Sequence, residues 1–350
     1  SMADGDLLSS SMDELSSSGA SVALAADTRG AEGARELIRD FLHGQAVHNM
    51  FPESSQVLVL DSHVSLHDSI LLMAANDTLA SPVWDRDACR FVGVFQLADA
   101  TAAAHFFDAR EENLVQSLQA CTIQRFFEEM PLAHRSAHLA DNTELWEAAQ
   151  RVTAGEFMFH LVLCIDDETG KPHVCQVASA VQLCRFLVFH LGNGLEPLLT
   201  ERLGDLKLVE SKGVVGVHET ATVREILGVL QRHNVSAVPV LDADDMVIDV
   251  IVAEDALKFC VAAINSGVQT AFNSVGEFRG HHDNRSLSGS TVTCTCSEND
   301  PLYRVLYKMA MTKTFALVCI NDQRRVVGLV SIDAVMGFLM TKSTSGTSDS

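Results

Sequence analysis

The sequence predicts an α/β (α+β) fold built from one small unit that occurs four times along the chain. Two observations predict it: a pattern of strand, helix, strand, strand and helix, and the return of that pattern at a nearly constant interval. Each copy has a polar turn between two apolar runs, and the residues that open these turns are Asp85, Asp166, Asp242 and Asn321. Their separation of roughly 80 residues indicates internal repetition.

The third copy shows the pattern most fully. Thr222-Val-Arg-Glu225 is a capping box, and apolar residues follow it at helical spacing. Two β-branched runs, Ala237 to Leu241 and Val247 to Val252, flank the polar turn 242–245 and predict a hairpin. A helix then opens at Ala253-Glu-Asp255, which places a carboxylate beside the free N–H groups of a helix start.

The first copy has the same order of elements. Residues 57–60 predict a strand, and Ser65-Leu-His-Asp68 is a second capping box that begins a helix. The runs 82–85 and 91–95 predict the hairpin, and Asp99 lies at the start of the next helix.

The second and fourth copies complete the series. In the second, Leu145 to Val152 predicts the helix, and 163–166 and 174–178 predict the strands. In the fourth, Asp300-Pro301 is expected to cap and start a helix, and the strands are expected at 318–321 and 326–330.

Composition limits the classes of function. The chain has 350 residues, 47% of them hydrophobic, and a net charge of −21, which argues against nucleic acid and anionic membranes as partners. No apolar run is long enough for a membrane span, and the acidic, Ser-rich N-terminus does not resemble a signal peptide. Nine scattered cysteines fit a reducing cytosol, so we expect a cytoplasmic protein, with nuclear residence also compatible.

The sequence offers only weak metal motifs, and no metal is expected. Cys294-Thr-Cys296 has no second pair and is interpreted as two strand cysteines. His281-His-Asp283 lies in a polar stretch that predicts an exposed loop, and His134 and His138 are expected at the surface.

These residues resemble a known family. Val235-Ser-Ala-Val-Pro-Val-Leu-Asp242 with Val247 to Asp255, and Pro82-Val-Trp-Asp85 with Phe91-Val-Gly93, resemble the CBS domain. Four such domains in tandem, preceded by the segment from Phe41 to Asp61, resemble the regulatory gamma subunit of AMP-activated protein kinase. The resemblance implies two Bateman pairs in a flat disc.

The resemblance also implies boundaries along the chain. Residues 1–30 are expected to be a disordered arm and 343–350 a disordered tail. The repeats are expected at 31–118 (with a leading helix), 119–200, 201–270 and 291–342, with a loop at 271–290.

The family implies adenine nucleotides (AMP, ADP or ATP) in the clefts between repeats, with no further cofactor. The aspartates at helix starts, Asp99 and Asp255, would hold ribose hydroxyls; a plain helix cap is the alternative for Asp255. The residue that corresponds to these aspartates is Gln182 in the second repeat and Ala334 in the fourth, where Asp333 lies one residue before it. The other positions that the resemblance assigns to the clefts are Thr220, Val235, Ser236, Ala237 and Ser331, with His160 and Arg185 for the phosphates.

Apolar residues occupy several of the family's basic positions. These residues are Leu79, Leu161, Val181, Phe315 and Ala316. Because an unpaired buried phosphate charge is costly, we expect one or two usable clefts rather than four. His160 has a second interpretation, as a packed histidine of the core.

The function that the resemblance implies is a non-catalytic regulatory subunit. It would bind a kinase catalytic (alpha) subunit and a scaffold (beta) subunit and respond to the adenylate ratio. The alternative is a structural CBS scaffold that has lost most nucleotide sensing. An enzyme is a distant third, because no catalytic motif is present and no stretch outside the repeats is long enough for a catalytic domain.

Overall fold

In the computed structural model, the described residues are 30–52, 56–108, 113–129, 137–154, 158–165, 172–233, 236–266 and 294–341. The predicted N-terminal arm, the 271–290 loop and the C-terminal tail lie outside them, apart from Gly30. The chain enters through helix α1 (Gly30–His43) and a short 3-10 helix (Val47–Met50).

The first repeat follows the predicted order. Its elements are β1 (Leu60–Asp61), α2 (Leu66–Ala75), β2 (Ala80–Asp85), β3 (Arg90–Gln96) and α3 (Leu97–Asp108). Ser65 caps α2, since its Oγ accepts from the N–H of Asp68 at 3.0 Å. The predicted strand at 57–60 is shorter than expected and starts only at Leu60, because the preceding Val57 and Leu58 line a cavity instead of pairing.

The second repeat is reached through two short helices. These are α4 (Leu114–Ala120) and α5 (Ile123–Glu129). The repeat itself comprises β4 (Ala137–Ala140), α6 (Leu145–Val152), β5 (His160–Ile165), β6 (Pro172–Ala178) and α7 (Ala180–Leu195).

The third repeat agrees closely with the sequence prediction. It follows α8 (Leu203–Leu206) and comprises β7 (Val217–His218), α9 (Val223–His233), β8 (Ala237–Leu241), β9 (Val247–Val252) and α10 (Ala253–Ser266). The capping box is formed in both directions: Glu225 N–H donates to Thr222 Oγ1 at 3.2 Å, and Thr222 N–H donates to Glu225 Oε2 at 2.8 Å.

The fourth repeat differs from the prediction at its first helix. Its elements are β10 (Thr295–Cys296), α11 (Leu302–Thr312), β11 (Ala316–Ile320), β12 (Val326–Ser331) and α12 (Ile332–Met340). Pro301 has extended backbone and precedes α11 instead of forming its first turn. Asp300 does not cap it, because its Oδ2 accepts from Ser297 N–H at 3.0 Å and closes the turn before the helix.

Each repeat forms a three-stranded sheet of the same topology. The first strand pairs parallel with the second, which pairs antiparallel with the third, and the sheet orders are β1-β2-β3, β4-β5-β6, β7-β8-β9 and β10-β11-β12. Contacts between the sheets join repeat 1 to repeat 2 through β2 and β6, and repeat 3 to repeat 4 through β8 and β11. This arrangement corresponds to the two predicted pairs.

Helices join one pair to the other. Helix α3 packs on α9 and α10, so repeats 1 and 3 share one apolar core. Helix α7 packs on α11 and α12, so repeats 2 and 4 share the larger core, to which α1 also belongs. Each repeat therefore contacts two others, through its sheet on one side and its helices on the other.

Candidate functional site

Asp99 and Asp255 occupy the same position in two repeats. Each is the third residue of the helix that follows the hairpin, and each reaches back to its own helix start. Gln96 N–H donates to Asp99 Oδ2 at 2.9 Å, and Val252 N–H donates to Asp255 Oδ2 at 3.3 Å. Both are buried, with 0% and 4% of their surface exposed. Both carboxylates therefore cap their own helix starts, and the ribose role that the resemblance implies for them stays a prediction.

The second carboxylate oxygen distinguishes the two aspartates. Lys258 Nζ donates to Asp255 Oδ1 at 3.0 Å. Within the described part of the chain, Asp99 Oδ1 has no hydrogen-bond partner. Burial raises the pKa of Asp99 well above its ordinary value, opposed by the hydrogen bond from Gln96. Asp99 is thus the carboxyl group whose hydrogen-bonding capacity is only half used.

The matching positions in repeats 2 and 4 are clear from strand register. His160 pairs with Ala178 where Ala80 pairs with Gln96, and one extra residue, Ser179, precedes α7. Gln182 is consequently the third residue of its helix, and Ser179 Oγ donates to Gln182 Oε1 at 2.7 Å.

In repeat 4 the third helical residue is Ala334. Its N–H donates to the Oγ of Ser331 at 3.1 Å. Asp333 is the second residue of α12 and is exposed. Asp333 is therefore not the structural counterpart of Asp99, and Ser331 is used as a helix cap.

His160 is unsuited to the phosphate role that the resemblance assigned to it. It starts β5 with 1% of its surface exposed. Burial lowers its pKa to about 4, assisted by the positive charge of Arg151, so the imidazole is neutral at pH 7. A neutral, buried imidazole supplies no positive charge to an anion, which favours the packed-histidine interpretation.

A cavity of about 700 Å³ lies between repeats 1 and 2, within the range of about 300–1,000 Å³ typical of small-molecule sites. Its wall is formed by segments of repeats 1 and 2 and by the turn between α11 and β11 of repeat 4. The described lining residues are Gln56, Val57, Leu58, Asn76, Asp77, Thr78, Leu79, Ala80, Phe159, Gln176, Val177, Ser179, Val181, Gln182, Arg185, Lys313 and Phe315.

The wall of this cavity combines aromatic and cationic groups. Phe159 and Phe315 meet edge to face, with ring centroids 5.8 Å apart. Arg185 extends from α7, its guanidinium 5.6 Å from the ring of Phe189, and Lys313 comes from repeat 4. Among the described lining residues, Asp77 is the carboxylate that partly offsets these two cations. Such a wall can hold a flat ring and an anionic group.

The remaining predicted residues lie elsewhere. Ala237 is buried in the shared core, Ser236 is half-buried beside it, and Thr220 is exposed in a turn. Leu161 and Ala316 are buried core residues. Val235 lies outside the described residues. The cavity wall thus includes Arg185, Gln182, Leu79, Val181 and Phe315, and the other described positions lie outside it.

Lys313 is a cavity residue that sequence reasoning missed. It ends α11 in the left-handed conformation (φ 56°), which points the chain sharply into β11. A lysine directly after a helical pattern and before a strand pattern was the available signal. Its meeting with Arg185 depends on the contact between repeats 2 and 4, which no local pattern predicts.

Neither a metal centre nor a membrane-spanning helix is found among the described residues. No group of three or more His, Cys, Asp or Glu side chains among them could hold a metal ion. No helix in the described ranges has both the length and the apolar character needed to cross a bilayer. The predicted His281–Asp283 and His134 lie outside the description, and His138 is exposed on β4.

The chain is similar to known proteins in both sequence and fold. The CBS domain model matches residues 204–262 and 291–341, which contain the third and fourth repeats. A solved structure from Methanocaldococcus jannaschii, described as a proposed archaeal homologue of gamma-AMPK, superposes with a TM-score of 0.65. It has 13% identity and covers 84% of this chain and 99% of that one. The matched segments in repeats 3 and 4 therefore resemble CBS domains, and the chain shares the fold of this archaeal protein.

The particular resemblance is to gamma subunits of 5′-AMP-activated protein kinase. The Saccharomyces cerevisiae subunit is 21% identical over 313 residues, 88% of this chain and 94% of its own length. The Dictyostelium discoideum subunit is 20% identical over 320 residues, 88% of this chain but 54% of its own length. The likeness predicted from the repeats is confirmed over most of the chain.

Proposed function

We propose that this chain is the non-catalytic regulatory subunit of an AMP-activated protein kinase-like complex and that it binds adenine nucleotides. The observation that carries the proposal is the cavity between repeats 1 and 2, which has aromatic rings and two cations on one wall. The similarity to gamma subunits over 88% of the chain supports the same assignment.

The cavity groups match the parts of a nucleotide. Phe159 and Phe315, each 8% exposed, present the edge of the shared core to the cavity as apolar surface for a purine, and Gln182 occupies the helical position that Asp99 and Asp255 hold in repeats 1 and 3. Arg185 and Lys313 supply positive charge for phosphates, and Arg binds phosphate through paired N–H donors. The strongly acidic chain requires such a local basic site to attract an anion.

Regulation requires the nucleotides to bind with different affinities. A second and third phosphate add negative charge to a ligand in a cavity that is lined by Lys313, which belongs to the other pair of repeats. AMP and ATP therefore place different charge at the contact between pairs, and only such a difference shifts a conformational equilibrium.

The partners in this proposal are a kinase catalytic (alpha) subunit and a scaffold (beta) subunit. Support comes from the names of the relatives, which are subunits of a kinase. We propose a cytoplasmic complex, with nuclear residence also compatible.

A second candidate is the structural CBS scaffold. Two observations favour it. His160 is neutral, and Asp255 already pairs with Lys258, so two of the predicted ligand-binding side chains have other roles within the protein. Leu79 and Phe315 also stand on the cavity wall where basic residues were expected.

Titration calorimetry of the full chain with AMP, ADP and ATP separates the two candidates. We expect binding, and expect Arg185→Ala to weaken it roughly 10- to 100-fold, the value of a charge-assisted hydrogen bond. Arg125→Ala is the matched control, because Arg125 is exposed on α5 and pairs with Glu129 at 2.9 Å. Absence of heat and of any thermal shift at millimolar nucleotide would leave the scaffold.

Co-expression with alpha and beta subunits tests the partner assignment separately. We expect one stable three-subunit complex by size exclusion. Failure of this chain to co-elute with either subunit would contradict the assignment, whatever the calorimetry shows.

A further inference from the structure

The β5–β6 hairpin of repeat 2 carries two cysteines and a histidine on neighbouring positions. Cys164 and His173 are register partners, and Cys164 Sγ lies 3.0 Å from His173 Nε2. The ladder is shifted between Val162 and Leu163, which leaves Cys175 as the extra residue of a bulge. Cys175 Sγ donates to the carbonyl of Val162 at 3.3 Å, and Cys175 lies two residues along β6 from His173, the register partner of Cys164.

This cluster differs from the other described cysteines in access and in chemistry. Cys164 and Cys175 are half-buried, and His173 is exposed. The second pair of facing cysteines, Cys296 and Cys319, is buried inside the core shared by repeats 2 and 4. Cys89 is exposed, and its thiol donates to the carbonyl of Arg86.

The environment assigns different roles to the two thiols. Burial, with the neighbouring Cys164 acting in the same direction, raises the pKa of Cys175 to about 12. Cys175 therefore keeps its proton at neutral pH. Cys164 has an imidazole nitrogen within hydrogen-bond distance, which can take the thiol proton and leave the reactive thiolate.

We propose that Cys164, assisted by His173, is an oxidation site for peroxides and that Cys175 resolves it into a disulfide across the hairpin. The Cys164 thiolate attacks one oxygen of hydrogen peroxide and the O–O bond breaks. The departing hydroxide takes the proton that His173 received from Cys164, so that the sulfenic acid and one water form. The Cys175 sulfur then attacks the Cys164 sulfur, the S–OH bond breaks, and the hydroxide leaves with the Cys175 proton as a second water. Two thiols are oxidised by two electrons, and the peroxide is reduced to two waters.

The bulge connects this site to the cavity. Gln176 and Val177, which directly follow Cys175, lie on the cavity wall. A disulfide that draws Cys175 toward Cys164 acts on the backbone that positions these two residues. The oxidation itself does not depend on nucleotide binding, so its test is independent of the proposed function.

The test uses the full chain, reduced, desalted and held in chelator, with graded hydrogen peroxide. Intact mass is expected to fall by two hydrogens, and non-reducing peptide maps are expected to join Cys164 to Cys175. In Cys175→Ser, dimedone is expected to label Cys164, because the sulfenic acid has no resolving thiol. His173→Gln is expected to slow the loss of the Cys164 thiol by roughly tenfold or more.

Three controls make the result decisive. Cys89→Ser should leave rate and product unchanged, Cys164→Ser should abolish the cross-link, and circular dichroism should match among variants. A cross-link between Cys296 and Cys319 instead, an unchanged rate in His173→Gln, or dimedone labelling confined to Cys89 would overturn the proposal. The wild-type peptide map and the His173→Gln rate decide the matter even if Cys164→Ser fails to fold.

Discussion

Asp99 and Asp255 provide a matched pair for testing how burial controls a carboxyl group. Asp99→Asn keeps the acceptor for Gln96 N–H and removes the titration. Asp255→Asn makes the same change at the equivalent position, where Lys258 already pairs with the carboxylate. The two substitutions should therefore affect stability in different ways as pH changes.

The expected sign follows from the raised pKa of Asp99. An unfolded Asp releases its proton near pH 3.9, whereas the native chain retains the Asp99 proton to higher pH. As pH rises above about 4, the unfolded state therefore gains a relative advantage. The free energy of unfolding falls by up to about 1.4 kcal/mol per pH unit until the native pKa is reached.

Urea unfolding of the two variants and the wild type, without nucleotide, measures this directly. The stability of Asp99→Asn relative to wild type should rise with pH above about 4 by up to about 1.4 kcal/mol per unit and then level off. Asp255→Asn should show a small loss, about 0.2–1 kcal/mol, because Lys258 is more than half exposed. If Asp99→Asn runs parallel to wild type across this range, or Asp255→Asn gives the same slope, the argument from burial is wrong.

Three further substitutions have outcomes set by local structure. Gly328→Ala should destabilise the protein by about 1–3 kcal/mol, because the added Cβ would lie 2.7 Å from the carbonyl oxygen of Glu210. Gly337→Ala should stabilise it by about 0.5–1 kcal/mol, because no atom lies within 4 Å of the added Cβ in this helix. Urea midpoints measure both, and a loss in Gly337→Ala as large as in Gly328→Ala would contradict the contact. His160→Gln should flatten the loss of stability that the wild type shows as pH falls from about 6.5 to about 4, because the native imidazole resists protonation in that window. If both proteins lose the same free energy of unfolding between about pH 6.5 and about pH 4, His160 is not the responsible group.

Local pattern predicted the elements well where turn chemistry and β-branching agreed. The hairpin Ala237–Leu241 and Val247–Val252 has the predicted bounds to the residue, with Asp245 at φ 60° in its turn. It predicted less well where a residue faces another part of the chain. Val57 and Leu58 have strand-like side chains, but they face the cavity formed with repeat 2.

The candidate site was only partly predictable for the same reason. Arg185 and Gln182 could be placed by counting along repeat 2, and Ser179 explains why Gln182 takes the helical position of Asp99. The pairing of Asp255 with Lys258 is an i, i+3 contact that the sequence allowed but did not require. Lys313 reaches the cavity through packing between repeats, which is a tertiary effect.

The segments that precede repeats 1 and 3 have a consequence for how the chain can be divided. Val47 N–H donates to Thr143 O at 3.0 Å, so residues before repeat 1 complete repeat 2. Glu210 and Leu329 exchange two backbone hydrogen bonds of 2.8 and 3.0 Å, so residues before repeat 3 complete repeat 4. A fragment cut at a repeat boundary would therefore lose backbone hydrogen bonds from the preceding segment, and a fragment cut between the pairs would expose the apolar helix faces that form the two shared cores.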